Sequence, residues 1–177
     1  MLKKPTDFNE MLECQAVLDR RIADERDNGF VPRKRCELDI LMALDDEIQE
    51  WAKELPQELN FKTWKQKEYN RAAELEEYVD IMFFYLQLIN MKNEQGRFYS
   101  TLGIEFNAFS CEPDGVLRSY LHILKNSLWG ADYKKFLQAY IKIAKLRGFT
   151  KDEIVNKYWE KLVYNLGRLN KKGDWVL

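Results

Sequence analysis

This 177-residue sequence has few residues that interrupt or cross-link a chain, with eight glycines, four prolines and three cysteines. So few turn-forming residues argue against a fold of many short strands, which needs a turn every few residues. The cysteines, Cys14, Cys36 and Cys111, are odd in number and widely spaced. They fit neither a disulfide framework nor a zinc site, and they favour a reducing compartment such as the cytoplasm. The single histidine, His122, argues against a di-iron bundle built from Glu-x-x-His motifs.

The sequence also lacks an excess of one charge and a long apolar run. Its 28 lysines and arginines nearly balance 29 aspartates and glutamates, and a net charge of −1 excludes a broadly basic nucleic-acid-binding protein. No apolar stretch approaches the roughly 18 residues of a membrane-spanning helix. The polar start of the chain predicts no signal peptide. We therefore expect one domain over residues 1–177, cytoplasmic, with no nucleic-acid and no membrane partner.

Apolar residues recur with the period of amphipathic helices along almost the whole chain. The sequence thus predicts an all-α fold, a bundle of about six helices, at residues 7–26, 33–55, 67–93, 116–128, 132–147 and 151–170. The third helix contains an apolar run from Tyr78 to Leu88 that only Asp80 and Gln87 interrupt. A helix that is apolar nearly all round belongs at the centre of the bundle.

Two pairs of carboxylates stand three residues apart on predicted helices: Glu47 with Glu50, and Glu77 with Asp80. This spacing places both members of a pair on one helix face. Each pair alone is explained by a solvated surface, or for Asp80 by a buried salt bridge. If the two helices are adjacent, the pairs form an oxygen cage of charge near −4, which suits Mg²⁺. Magnesium in turn points to a phosphate-bearing ligand.

Five segments carry a family resemblance in the same chain order. They are residues 15–22 (a Gln followed by apolar residues and Asp), 47–51, 61–65, 77–80 and 161–175. With these segments the sequence resembles the dimeric all-α dUTPases of the all-α NTP pyrophosphatase (MazG-like) superfamily, in the form found in bacteria and their phages. Two departures lie at the C-terminal end: Leu169 follows Arg168 where the family usually has Gln, and Trp175 stands near the expected Tyr.

The resemblance implies a homodimer that uses Mg²⁺ to hydrolyse dUTP to dUMP and pyrophosphate, and also dUDP. It implies that the four paired carboxylates ligate the metal. Of these, Glu50, or Glu47 if the geometry is reversed, also accepts the proton of the attacking water. Residues 91–147 contain no matching motif, and we expect the apolar segment 98–129 to form part of the dimer contact.

The phosphate contacts are expected on the last helix. Lys161, Asn165 and Arg168 lie at i, i+4 and i+7 and so share one stripe, which suits phosphate oxygens. A solvated basic helix end is the alternative interpretation of this stripe.

Base recognition is expected from an amide and a flat apolar wall. Gln15 can both donate to and accept from the uracil edge, because its amide carries both functions. Trp64 and Phe84 are candidates for stacking on the base, with core packing as the alternative, and Asn90 is a candidate for contact with the base or sugar. Two other functions remain open: a MazG-like pyrophosphohydrolase for another nucleotide, or a helical interaction protein without catalysis.

Overall fold

The computed structural model describes residues 2–24, 35–97 and 99–169, and in these ranges it contains seven α-helices and no strand. The side chains of Asp24, Ser100, Arg168 and Leu169 lie outside this description. The helices are α1 (Phe8–Asp24), α2 (Glu37–Glu54), α3 (Arg71–Glu94), α4 (Ser100–Ala108), α5 (Leu117–Trp129), α6 (Tyr133–Leu146) and α7 (Lys151–Leu169). The all-α prediction is confirmed. None of these helices combines the length and the apolar character needed to cross a membrane.

Helix α4 is the one that the sequence analysis omitted. It has only nine residues and two fully buried apolar anchors, Leu102 and Phe106, so its stripe is too short to give a clear period. Gly103 allows α4 to approach α1 closely, since a Cβ there would lie 3.1 Å from the Asn9 side-chain oxygen. Phe109 ends the helix in the left-handed conformation, with φ of 47°. Tertiary packing therefore makes this segment helical despite its glycine.

Helix α3 is the centre of the bundle, as its apolar run predicted. It packs against α1, α2 and α7, while α6 packs against α4 and α5. Nearly every residue from Tyr78 to Ile89 is buried. Aromatic side chains connect α3 to α6: Tyr78 stacks on Tyr140 at a ring-centroid distance of 4.3 Å, and Tyr85 stacks on Phe136 at 5.0 Å. This burial of apolar and aromatic surface is the main source of stability.

A buried ion pair fixes the start of α3. The Glu74 side chain is fully buried and accepts hydrogen bonds from Arg147 Nε at 2.7 Å and Arg147 Nη2 at 2.9 Å. It also accepts from the Tyr69 hydroxyl at 2.8 Å and the Trp51 indole nitrogen at 3.4 Å. These donors come from the end of α6, the loop before α3, and α2. The network thus sets α2 against α3 one turn before Glu77.

Removing the cation of this pair should strongly destabilise the protein. In Arg147→Met the Glu74 charge stays buried without its partner, and breaking a buried pair in this way costs about 3–5 kcal/mol. Urea denaturation followed by circular dichroism measures the change in the free energy of unfolding. Lys157→Met, which removes the exposed pair between Lys157 and Glu76 at 3.3 Å, is the control and should cost less than about 1 kcal/mol. Equal losses in the two variants would contradict the role of Glu74 and Arg147.

Candidate functional site

Three carboxylates from two adjacent helices meet at one point of the structure. Glu47 of α2 and Glu77 and Asp80 of α3 each offer an oxygen, and these oxygens lie within 4.8 Å of one another. The buried faces of the helices explain the arrangement, because packing Ile48 and Trp51 of α2 towards α3 leaves Glu47 at the edge of the contact. An all-oxygen donor set of this size fits a hard divalent cation such as Mg²⁺. The structure therefore brings together three members of the predicted cage, which we call the carboxylate cluster.

Glu50, the fourth predicted ligand, lies beside the carboxylate cluster rather than in it. Its side chain is 49% exposed and lies 3.9 Å from Lys53 Nζ on the same helix. Its negative charge nevertheless contributes to raising the pKa values of Glu47, Glu77 and Asp80. Glu50 is thus an outer member of the site, on the side that faces solvent.

Asp80 obtains its charge compensation from α7. Only 9% of Asp80 is exposed, and its carboxylate accepts a hydrogen bond from Lys161 Nζ. The buried salt bridge that the sequence allowed is therefore present, and its partner is the lysine predicted to contact phosphate. Because an ammonium group has three donors, contact with Asp80 leaves others for a ligand. Lys161 connects the carboxylate cluster to the predicted phosphate stripe.

Burial makes the carboxylate cluster electrostatically unfavourable without a cation. Burial, together with repulsion from Asp80, raises the pKa of Glu47 to about 8, although Lys161 opposes the shift. The pKa values of Glu77 and Asp80 are raised as well, again chiefly by burial. A bound cation favours the ionised form of each group, so protons and metal compete for these oxygens.

A second group of polar side chains surrounds Gln15, of which only 3% is exposed. Gln15 Nε2 donates to Asp19 Oδ1 at 2.9 Å, and the Tyr158 hydroxyl lies 3.2 Å from Gln15 Oε1. Gln87 Nε2 also donates to Asp19 Oδ1, at 3.1 Å, and Arg35 Nη1 donates to Gln87 Oε1 at 3.0 Å. We call these five residues the Gln15 network.

The sequence analysis did not select Asp19, Gln87 or Arg35 as site residues. A signal for Gln87 was present, because Gln87 and Asp80 are the two polar interruptions of the apolar run in α3. They are seven residues apart, so they lie on the same face of the helix. The half-buried Phe84 lies between them on this face. Phe84 therefore lies between the carboxylate cluster and the Gln15 network. This position is compatible with its predicted stacking on the base.

The remaining predicted site residues lie in different environments. Trp64, in the loop between α2 and α3, is 77% exposed, which excludes core packing as its role. Asn90 uses its amide nitrogen to donate to the backbone oxygen of Leu12 at 2.9 Å, and so joins α3 to α1. Asn165 is half-buried on α7, one turn beyond Lys161. The side chain of Arg168 and residues 170–177 of the C-terminal motif lie outside the described residues.

The raised pKa of Glu47 predicts a pH-dependent stability of the metal-free protein. Between the ordinary pKa of 4.5 and about 8, the folded state keeps a proton that the unfolded state releases. The free energy of unfolding should therefore fall as the pH rises through this window. In Glu47→Gln this decrease in the free energy of unfolding should be smaller. Thermal melting at several pH values in the presence of EDTA measures it.

The control for this prediction is Glu58→Gln, in the exposed loop between α2 and α3. It removes the same type of charge and should melt with the pH dependence of the wild type. An unchanged pH dependence in Glu47→Gln would contradict the electrostatic account of the carboxylate cluster.

Comparison with known families gives a match over most of the chain. The model of a family described as dUTPase matches residues 7–172, which include every helix of the described structure and all predicted site residues. No curated protein matches the sequence. The match confirms the resemblance to the dUTPases that five short segments indicated, and the described helices confirm the all-α fold that it implied.

Proposed function

The chain belongs to the dUTPase family and hydrolyses dUTP, and we propose that it does so with Mg²⁺ held by Glu47, Glu50, Glu77 and Asp80. The observation that supports this proposal most directly is the carboxylate cluster, with three oxygens within 4.8 Å. When bound there, the cation neutralises part of the charge of the triphosphate, which otherwise repels a nucleophile. We place the enzyme in the MazG-like, all-α superfamily.

The hydrolytic step requires a group that removes a proton from water. The water oxygen forms a bond to phosphorus, the bridging phosphoanhydride bond breaks, and dUMP and pyrophosphate leave. Glu50 is the outermost of the four carboxylates and can meet a water molecule from the solvent side, so we assign it as the base, with Glu47 as the alternative. Attack at the β-phosphorus would also allow the hydrolysis of dUDP.

The phosphates are assigned to one stripe of α7. Lys161 keeps one donor on Asp80 and directs others to phosphate oxygens. Asn165 follows one turn later, and Arg168 continues the stripe in sequence, where its planar group suits two phosphate oxygens. Because Lys161 contacts a metal ligand directly, metal and phosphate occupy neighbouring positions in this arrangement.

The base is assigned to the other end of the α3 face. Gln15 reads the uracil edge, and Phe84, between the carboxylate cluster and the Gln15 network, stacks on the ring. The exposed Trp64 closes over the base from the loop. One N–H of the Asn90 amide is used by α1, so its carbonyl and its second N–H remain for the sugar.

Glu77→Gln tests the metal site and the reaction together. The substitution removes one negative ligand, and turnover should fall at least about 100-fold because electrostatic stabilisation is often the largest catalytic effect. The measurement is Mg²⁺-dependent release of pyrophosphate from each of the four deoxynucleoside triphosphates that contain uracil, cytosine, adenine or guanine. The matched control is Glu76→Gln, at the position next to Glu77 in the sequence. The Glu76 side chain is 51% exposed and pairs with Lys157.

Two outcomes would contradict the proposal. Near-normal turnover in Glu77→Gln would remove this residue from the metal site. If the wild type preferred another deoxynucleoside triphosphate, this would favour the alternative function, a pyrophosphohydrolase that acts on a different nucleotide.

We further propose that the enzyme is a cytoplasmic homodimer. Its three cysteines are free thiols, as a reducing compartment favours. The predicted contact segment 98–129 displays Ile104, Val116 and Trp129, which are 71%, 65% and 51% exposed. Exposed apolar side chains that lie together mark surfaces that bind another protein, and we propose that these three belong to the dimer contact.

Ile104→Arg should therefore weaken dimerisation, because a charge in an apolar interface loses its hydration. Light scattering at micromolar concentration should give the mass of a dimer for the wild type and a lower mass for the variant. Val163→Arg, on α7 outside the segment, removes an apolar side chain that is 48% exposed and serves as the control. A monomeric wild type would contradict the proposed assembly.

A further inference from the structure

We propose that Asp19 makes the enzyme select uracil over cytosine by fixing the orientation of the Gln15 amide. The inference rests on the proposed role of Gln15 in reading the base. It goes beyond that role because it assigns the choice between the two bases to a carboxylate that need not touch the substrate. Asp19 is in this sense a positioning residue.

The two bases differ in the order of their hydrogen-bonding groups, while their rings have nearly the same shape. Uracil presents a donor at N3 and an acceptor at position 4, whereas cytosine presents an acceptor at N3 and a donor at position 4. A glutamine amide has one oxygen and one nitrogen at its end, so it can complement either base. Turning the amide by 180° exchanges its two ends and would exchange the preferred base. Selectivity therefore requires that the amide be held in one orientation.

Asp19 supplies this constraint. Its Oδ1 lies 2.9 Å from Gln15 Nε2, and an ionised carboxylate only accepts hydrogen bonds, so the nitrogen end of the amide must face it. Burial raises the pKa of Asp19 to about 6, although Gln15 and Arg35 favour its ionised form. The carboxylate is thus ionised at pH 8. Turning the amide would bring two oxygens together without a proton between them.

Tyr158, the other partner of Gln15, does not impose an orientation. Its hydroxyl lies 3.2 Å from both Gln15 Oε1 and the backbone oxygen of Met11. A hydroxyl group can donate to one neighbour and accept from another. It would therefore accept from a turned amide while donating to Met11. Of the two partners that the Gln15 amide has among the described residues, only Asp19 distinguishes its ends.

A second amide is oriented in the same way and holds Asp19 in place. Arg35 can only donate, so the Gln87 oxygen faces it at 3.0 Å and the Gln87 nitrogen faces Asp19 at 3.1 Å. The orientation of both amides in the Gln15 network follows from a donor-only arginine at one end and an acceptor-only carboxylate in the middle. The carboxylate cannot turn away from Gln15 without also losing its contact with Gln87.

The donor and acceptor positions of Gln15 that remain available match uracil. Its contacts within the described residues use one N–H, towards Asp19, and one acceptor position, towards Tyr158. One N–H and one acceptor position are left, which are the complement of the C4 carbonyl and the N3–H of uracil. Because only 3% of Gln15 is exposed, a mismatched base would leave these polar groups unpaired in a nearly dry site.

The test is the ratio of kcat/KM for dUTP to kcat/KM for dCTP, measured at pH 8. In Asp19→Asn the new side chain can donate as well as accept, so both orientations of Gln15 are permitted. The ratio should fall at least about tenfold, through a gain for dCTP as well as a loss for dUTP. Asp19→Glu keeps an acceptor-only group and should retain most of the preference. Loss of the preference in Asp19→Glu but not in Asp19→Asn would overturn the inference.

The chain offers a matched control in Asp45→Asn. Gln49 Nε2 donates to Asp45 Oδ2 at 3.2 Å, so the same two residue types pair at the same helical spacing on α2, where Asp45 also pairs with Lys125. This variant should keep the wild-type ratio, since it makes the same chemical change outside the Gln15 network. If thermal melting shows that Asp19→Asn does not fold, Asp19→Ala removes the acceptor altogether and carries the same expectation. A retained preference in the folded variant would overturn the inference.

Two further variants separate this inference from the proposed function. Gln15→Ala should reduce the preference for dUTP. Lys161→Ala should instead lower kcat/KM for dUTP and dCTP alike, because phosphate contacts carry no information about the base. If Gln15→Ala loses the preference and Asp19→Asn keeps it, the role of Asp19 fails while that of Gln15 stands. If Gln15→Ala keeps the preference, both roles fail, although the Mg²⁺-dependent hydrolysis is untouched.

Discussion

The charge compensation of two acidic residues on the central helix is the constraint on which the rest of the structure depends. Helix α3 is buried along most of its length, yet it carries Glu74 near its start and Asp80 two turns later. A buried carboxylate costs several kcal/mol unless other groups compensate it. Glu74 receives four hydrogen bonds, two of them from Arg147. Asp80 receives a contact from Lys161 and is left close to two further acids.

This difference separates a structural acid from the acids that we propose as metal ligands. The fully compensated Glu74 connects α2, α3 and α6 and determines where Glu47 and Glu77 come to lie. The carboxylate cluster is under-compensated, and the raised pKa values of its members reflect their burial first and then the repulsion between them. Such a group of acids reduces the stability of the empty fold, and its natural complement is a cation. The ion pair between Glu74 and Arg147 thus supports the carboxylate cluster, whose negative charges are not fully compensated.

The parts of the structure that the sequence predicts are those with a local signal. The apolar period predicts six of the helices, and the i, i+3 pairs predict the carboxylates, three of which the structure brings together. Contacts between distant residues leave no such signal. Glu74 and Arg147 are 73 residues apart, and Lys161 is 81 residues from Asp80. Likewise, Gln15 carries the motif, but its connection through Asp19 to Gln87 and Arg35 exists only once α1, α2 and α3 are packed.

One face of α3 organises both halves of the site. Asp80, Phe84 and Gln87 follow one another on this face, and seven residues of helix span about 10.5 Å. In the arrangement that we propose, the acidic end serves the metal and the phosphates, and the Gln15 network at the other end serves the base. Because these ends use separate side chains on one element, changes at the base need not disturb the groups that we assign to metal and phosphate. The polar groups of α3 that are left for a ligand share this face, whereas the buried Glu74 is already paired with Arg147, and the helix keeps the two ends of the site at a fixed spacing.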